Sequence, residues 1–110
     1  MPSEMDPQAD ILKIIANIDR VIHSPARLMI LTYLYVVESG DLVYLMRQTG
    51  LTWGNLASHV SKLEEAGYIK IEKEFVNRKP RTWLELTKAG RTAFQNYRKQ
   101  LTEALGALPD

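Results

Sequence analysis

The stretch LTWGNLASHVSKLEEAG, Leu51 to Gly67, runs without a linker into YIKIEKEF, and this change of period constrains the chain more than any other feature. Leu56, Val60 and Leu63 recur at helical spacing, so one face of the segment is set to be buried. Trp53, Asn55, Ser58, His59 and Lys62 then point outward as a small, polar face. Thr52 is a suitable N-cap and Gly67 a suitable left-handed stop, which bounds a helix of about four turns. A helix about 10–12 Å thick fits a major groove about 12 Å wide. The expectation is a helix that reads DNA.

Charge alone does not argue for nucleic acid, because the net charge of the 110 residues is +1, so the positions of the charges must carry the case. A chain of this length is one domain by size. The absence of cysteine removes disulfides, thiolate catalysis and thiolate metal sites. No apolar run approaches the ~20 residues of a membrane span, and the start, MPSEMDPQAD, is acidic where a signal peptide would be basic. The expected protein is soluble and cytoplasmic, with no membrane partner.

Ahead of the central stretch, Asp6 and Pro7 form a helix start, and Ile11, Ile15, Ile18 and Ile22 make one stripe, widened by Ile14 and Val21. This helix is expected to run to about His23, where Pro25 disfavours a helical conformation in the residue before it. Its stripe is wider than a small domain needs, so it either packs on the chain's own core or meets a partner. Ser24 caps and Pro25 opens a second helix, whose Leu28, Ile30, Leu31, Leu34 and Tyr35 read as the centre of the core, ended by Glu38, Ser39 and Gly40. Leu42, Leu45 and Met46 then mark a short helix, capped by Asp41 or a neighbour. Thr49 and Gly50 break it about four residues before the central helix, which gives a helix-turn-helix arrangement.

Downstream, Tyr68, Ile69, Ile71 and Phe75 alternate with charged residues, and TWLELT follows after VNRKPR. The pattern predicts a β-hairpin with an Asn-Arg-Lys-Pro tip. Arg78, Lys79 and Arg81 form the clearest charge cluster, suited either to a solvated turn or to phosphate contact. Thr87 caps a last helix in which Phe94, Tyr97, Leu101, Ala104 and Leu108 step by three and four residues, the spacing of an interhelical seam. Together with the first stripe this predicts a helical dimer interface.

The segments HSPARLMIL, GLTWGNLASHVSKLEEAGYIKIEK and NRKPRTWLELTKAGR, between Val21 and Leu101, resemble the winged helix-turn-helix transcriptional regulators of bacteria and archaea, the broad group that includes the ArsR and MarR families. The likeness covers about three quarters of the chain, with a GNLxxHLxKLExxGYI-like pattern and a proline-containing wing before LTxxGR. It implies a mainly α fold with a small β-hairpin (α+β), a winged helix-turn-helix with added N- and C-terminal dimerisation helices. On that reading residues 1–22 and 88–108 form the dimer, 41–67 the helix-turn-helix and 68–87 the wing hairpin. The implied function is sequence-specific binding of double-stranded DNA by a homodimeric repressor.

Asn55 and His59 match the polar positions of the reading helix, and with Ser58 they would read base edges, while Thr52 and Lys62 would hold phosphates. Asn77, Arg78, Lys79 and Arg81 would grip the flanking backbone or enter the minor groove. Ile11, Ile15, Ile18 and Ile22 would meet Phe94, Tyr97, Leu101 and Leu105 across the dimer. The sequence departs from the pattern at Val43, Thr49, Trp53 and Val60. Trp53 stands where a small polar residue is usual; its indole would contact a thymine methyl or sugar, pack against the protein, or obstruct the groove, and packing is the favoured of the three.

Catalysis finds no support in Ser58 and His59, because adjacent helical residues point about 100° apart. The two histidines, His23 and His59, lack companion ligands at helical spacing, so neither a metal nor another cofactor is expected. His23 is expected at the dimer surface. An unidentified small-molecule effector between the dimer helices and the core remains compatible with the family resemblance. The competing class, a winged helix used only for protein interaction, predicts an apolar outer helix face or an acidic wing, and the sequence has the reverse.

Overall fold

The fold is built on α2, Pro25–Val37, whose apolar residues on several sides allow other elements to pack around it. The computed structural model describes residues 7–110, so the expected cap at Asp6 lies outside the described residues. Among these residues are five helices and one three-stranded antiparallel sheet, in the order α1 (Pro7–Ala16), α2, β1 (Ser39–Asp41), α3 (Leu42–Thr49), α4 (Trp53–Glu65), β2 (Ile69–Val76), β3 (Lys79–Leu86) and α5 (Lys88–Gly106). This is the expected winged-helix α+β fold. Ile30, Leu31 and Leu34 of α2 are fully buried with Leu45, Leu56, Leu63 and Leu84, one or more residues from each of α3, α4 and β3.

The first helix is shorter than its apolar stripe predicts. It ends at Ala16, and residues 17–23 form a turn. Asp19 is the cause: its Oδ1 accepts from the backbone N–H of Val21 at 2.9 Å and of Ile22 at 3.3 Å, a local alternative to helical bonding. Its Oδ2 accepts from the Tyr68 hydroxyl. The turn swings Ile18 (6 % exposed) and Ile22 (0 %) into the core, so they offer no surface to a second chain. Phe94 and Tyr97 of α5 are likewise buried, at 5 % and 3 %. Of the eight residues expected at a dimer surface, Ile11, Ile15, Leu101 and Leu105 keep exposed or half-exposed area.

Ser24 caps α2 with Oγ 3.4 Å from the Arg27 N–H, Asp41 caps α3 by accepting from Val43 N at 2.9 Å, and Thr52 and Thr87 cap α4 and α5. Gly67, at φ 80°, sits just beyond α4 as expected. Between α2 and α3 the backbone forms β1, which local sequence does not signal: three residues, Ser39, Gly40 and Asp41, pair with Glu85, Leu84 and Trp83 of β3. Strand order is β1-β3-β2, so the wing hairpin is anchored at its base by this third strand.

The hairpin turn is tighter than the four-residue tip expected. Val76 pairs with Lys79, leaving Asn77 and Arg78 as a two-residue turn with φ of 53° and 66°. Both positive values identify the type I′ geometry that follows strand twist. Pro80 therefore lies in β3, opposite Phe75. A two-residue turn makes 76/79 the hydrogen-bonded pair and 75/80 the next, non-bonded one, so Pro80 costs the ladder no donor.

The start of α5 is pressed onto the α4–β2 junction. Thr87 donates its N–H to the Tyr68 carbonyl at 3.1 Å and its hydroxyl to the Gly67 carbonyl at 2.6 Å. Gly90 is buried, and a Cβ there would overlap the Tyr68 carbonyl oxygen, a backbone atom that cannot swing aside. Gly90→Ala is expected to lower the unfolding free energy by about 2–3 kcal/mol, read from urea unfolding. Gly54→Ala, on the exposed side of α4 with open space around it, is expected to do no harm.

Candidate nucleic-acid interface

The helix-turn-helix is made by α3, the three residues Gly50 to Thr52, and α4. Gly50, at φ 71°, closes α3, and Thr52 Oγ1 accepts from Asn55 N at 3.2 Å to start α4. Leu56, Val60 and Leu63 hold α4 on the core, and the opposite side presents Trp53, Asn55, Ser58 and Lys62, all exposed. Trp53 is 55 % exposed in the first turn, so it is partly covered by the protein and partly open to solvent.

His59 is placed differently from the other polar residues of α4. It is half-buried, and its Nδ1 lies 2.9 Å from Arg27 Nη1. Arg27 can only donate, so His59 accepts at Nδ1 and is the neutral tautomer carrying its proton on Nε2. Burial, reinforced by the charges of Arg27 and Lys62, holds its pKa below the ordinary 6.5. Arg27 also donates Nε to the Val21 carbonyl and Nη2 to the Arg20 carbonyl at 3.4 Å. His59 is thus tied to the turn before α2.

Arg20, Arg27 and Lys62 line one hollow of about 340 Å³ beside the C-terminal half of α4, with Glu65 the single acid among its lining residues. Sequence reasoning missed Arg20 and Arg27. A signal for Arg27 exists, since a cation in the first turn of a helix opposes the helix dipole and calls for other partners.

The wing's cations are not equivalent. Arg78 and Lys79 are exposed at the tip, whereas Arg81 Nη1 lies 3.6 Å from Asp41 Oδ2, the carboxylate that caps α3. Arg81 therefore braces the wing against the helix-turn-helix. Asn77 suits its left-handed position, but Arg78 occupies one that favours glycine. His23, expected at a dimer surface, is exposed and places Nδ1 2.9 Å from the Tyr97 hydroxyl of its own α5. The described residues include no group of three or more His, Cys, Asp or Glu placed to hold a metal ion, and no described helix is long and apolar enough to cross a membrane.

Residues 26–105 match the winged helix DNA-binding domain family. The chain belongs to this family. An uncharacterized protein of Methanocaldococcus jannaschii, MJ0432, is 37 % identical over 78 residues, which span 71 % of this chain and 85 % of that protein. The structure of a transcriptional regulator homologue from Pyrococcus horikoshii OT3 superposes with a TM-score of 0.83 at 29 % identity, covering 92 % of this chain and 99 % of that one. The MarR structure shares the fold at a TM-score of 0.70 and 22 % identity, over 88 % of this chain and 74 % of its own. A winged-helix chain with these neighbours is a DNA-binding regulator.

Two measurements test this geometry. Because the folded protein holds His59 neutral, the unfolded chain binds more protons between the lowered value and 6.5. The contribution of His59 is therefore complete above about pH 7 and is lost as pH falls through that window. Urea unfolding of His59→Gln should show a shallower loss of stability from pH 7.5 to 5.5 than the native protein. Arg78→Gly should raise stability by about 0.5–1 kcal/mol by relieving the left-handed position, while weakening any binding to DNA.

Proposed function

We propose that the protein is a homodimeric repressor that places the two copies of α4 in successive major grooves of a roughly palindromic site, about 34–36 Å apart. The observation that carries this reading is the outer side of α4. Asn55 and Ser58 are exposed there, while Arg27, Lys62 and the wing cations Arg78 and Lys79 flank the helix with positive charge. Asn55, Ser58 and the Nε2 edge of His59 read bases, with Trp53 against a thymine methyl or sugar at the leading end. Thr52 and Lys62 hold phosphates. Asn77, Arg78 and Lys79 grip the flanking backbone, and Arg81 keeps the wing at the angle that lets them do so.

Two copies pair through α1 and α5, which pack on one another within the chain. Leu12, Ile15, Leu105 and Leu108 remain 66 %, 42 %, 50 % and 51 % exposed, an apolar surface that a second copy covers. The chain is also extended, with a radius of gyration of 17.2 Å where about 13 Å is usual for its length. A cleft of about 480 Å³ between α2 and α5, lined by Leu28, Tyr35, Phe94 and Tyr97 among others, is of a size to admit a small apolar effector. The protein acts in the cytoplasm by binding and carries out no catalysis. Ser58 faces outward and His59 Nδ1 meets Arg27, so these two neighbours do not pair as nucleophile and base.

Selection of genomic fragments by the purified protein at stated salt, with sedimentation of the free protein, tests the proposal. Enriched duplexes sharing an inverted repeat and a dimer mass support it; no enrichment at any salt favours a protein-interaction module instead. On a selected duplex, Arg78→Ala with Lys79→Ala is expected to weaken binding to all sequences and to lower the slope of log affinity on log salt by about 1.8 per protomer. Asn55→Ala is expected to blur sequence preference, at about 1–3 kcal/mol for the base it reads, with the salt slope unchanged.

A further inference from the structure

The wing carries an apolar feature that neither the core nor phosphate contact explains. Register places Ile69, Ile71, Lys73 and Phe75 of β2 on one face with Leu86, Leu84, Thr82 and Pro80 of β3 opposite them. At the base this face is core, with Ile69 at 2 % and Leu84 at 0 % exposure. Two rungs beyond Ile71 and Leu84 it ends in Phe75 facing Pro80, directly behind the turn residues Asn77 and Arg78. Phe75 is 80 % exposed, so packing on Pro80 uses little of its ring.

Cations lie near this ring along the hairpin, with the acid Glu74 beside it on the opposite face. Lys73 shares the ring's face, Lys79 and Arg78 lie at the tip, and all three are exposed. Such a setting repels a second positively charged wing and suits a surface that is apolar within and anionic at its rims. The minor groove of DNA has that character, with sugar and base edges between two rows of phosphates, and apolar side chains that enter it wedge between base steps.

We propose that Phe75, backed by Pro80, is an apolar wedge that the wing inserts into the minor groove beside the segment read by α4. The inference rests on the DNA-binding reading above and adds to it a contact that carries no charge. Its recognition is indirect: pyrimidine–purine steps unstack readily, so the wedge favours TA or CA at the flank of the site without hydrogen-bonding any base. Arg78 and Lys79 hold the tip while the ring enters.

The test measures affinity against salt for the native protein, Phe75→Leu and Phe75→Gln on one selected duplex, with the bend followed by end-to-end energy transfer. Phe75→Gln is expected to bind about ten-fold more weakly at every salt concentration with an unchanged salt slope, because an apolar contact releases no counterions. It should also bend the duplex less, whereas Phe75→Leu should stay within about three-fold of the native protein. Equal affinity of Phe75→Gln and native protein overturns the wedge, as does a reduced salt slope, a changed oligomeric state, or Phe75→Leu falling as far as Phe75→Gln. Native protein that binds no duplex overturns the DNA-binding reading and the wedge together; native binding with an unaffected Phe75→Gln overturns the wedge alone.

Discussion

Tyr68 joins the elements on which the rest of the structure depends. Its hydroxyl donates to Asp19 in the turn before α2, its N–H donates to Leu63 at the end of α4 at 3.0 Å, and its carbonyl accepts from Thr87 at the start of α5. Gly90 sits flush on the same carbonyl. β2 leaves directly from this residue toward the wing. Burial and the bond to Asp19 push the Tyr68 hydroxyl up to about 12, so it stays a donor throughout the physiological range. One residue thus sets the angles between the polar helix, the wing and the long terminal helix.

A second bracket works from the other side. Asp41 caps α3 with one oxygen and meets Arg81 with the other, so the outer half of the wing is linked to the start of the helix-turn-helix. Arg27 holds His59 against the turn that Asp19 closes. These contacts spend polar groups on position and leave Asn55, Ser58, Arg78 and Lys79 exposed and oriented. Arg78 accepts a left-handed backbone because the two-residue type I′ turn requires it.

What the sequence made legible was local. Thr52, Gly67 and the Leu56, Val60 and Leu63 spacing lie within one segment, so the limits of α4 could be read directly. The end of α1 could not, because Ile18 and Ile22 continue the helical period while serving the core from a turn that Asp19 organises. β1 escaped notice because three residues make no pattern, and their pairing with β3 spans more than forty residues. Periodicity put His59 on the outer side of α4, but its tie to Arg27, 32 residues away, is a tertiary contact that spacing does not encode. The same limit applies to the stripes of the first and last helices, whose Ile18, Ile22, Phe94 and Tyr97 turned out to serve the chain's own core.

In the proposed complex a pair of α4 helices enters successive major grooves while the wings reach outward. Chemical footprinting of a selected duplex tests it most directly, with a major-groove methylation probe and a minor-groove hydroxyl-radical probe applied to the same complex. Two methylation-protected segments centred about 10 base pairs apart on one side of the duplex are expected, each flanked on its outer side by minor-groove protection. A single protected segment, or protection confined to the minor groove, would contradict this arrangement.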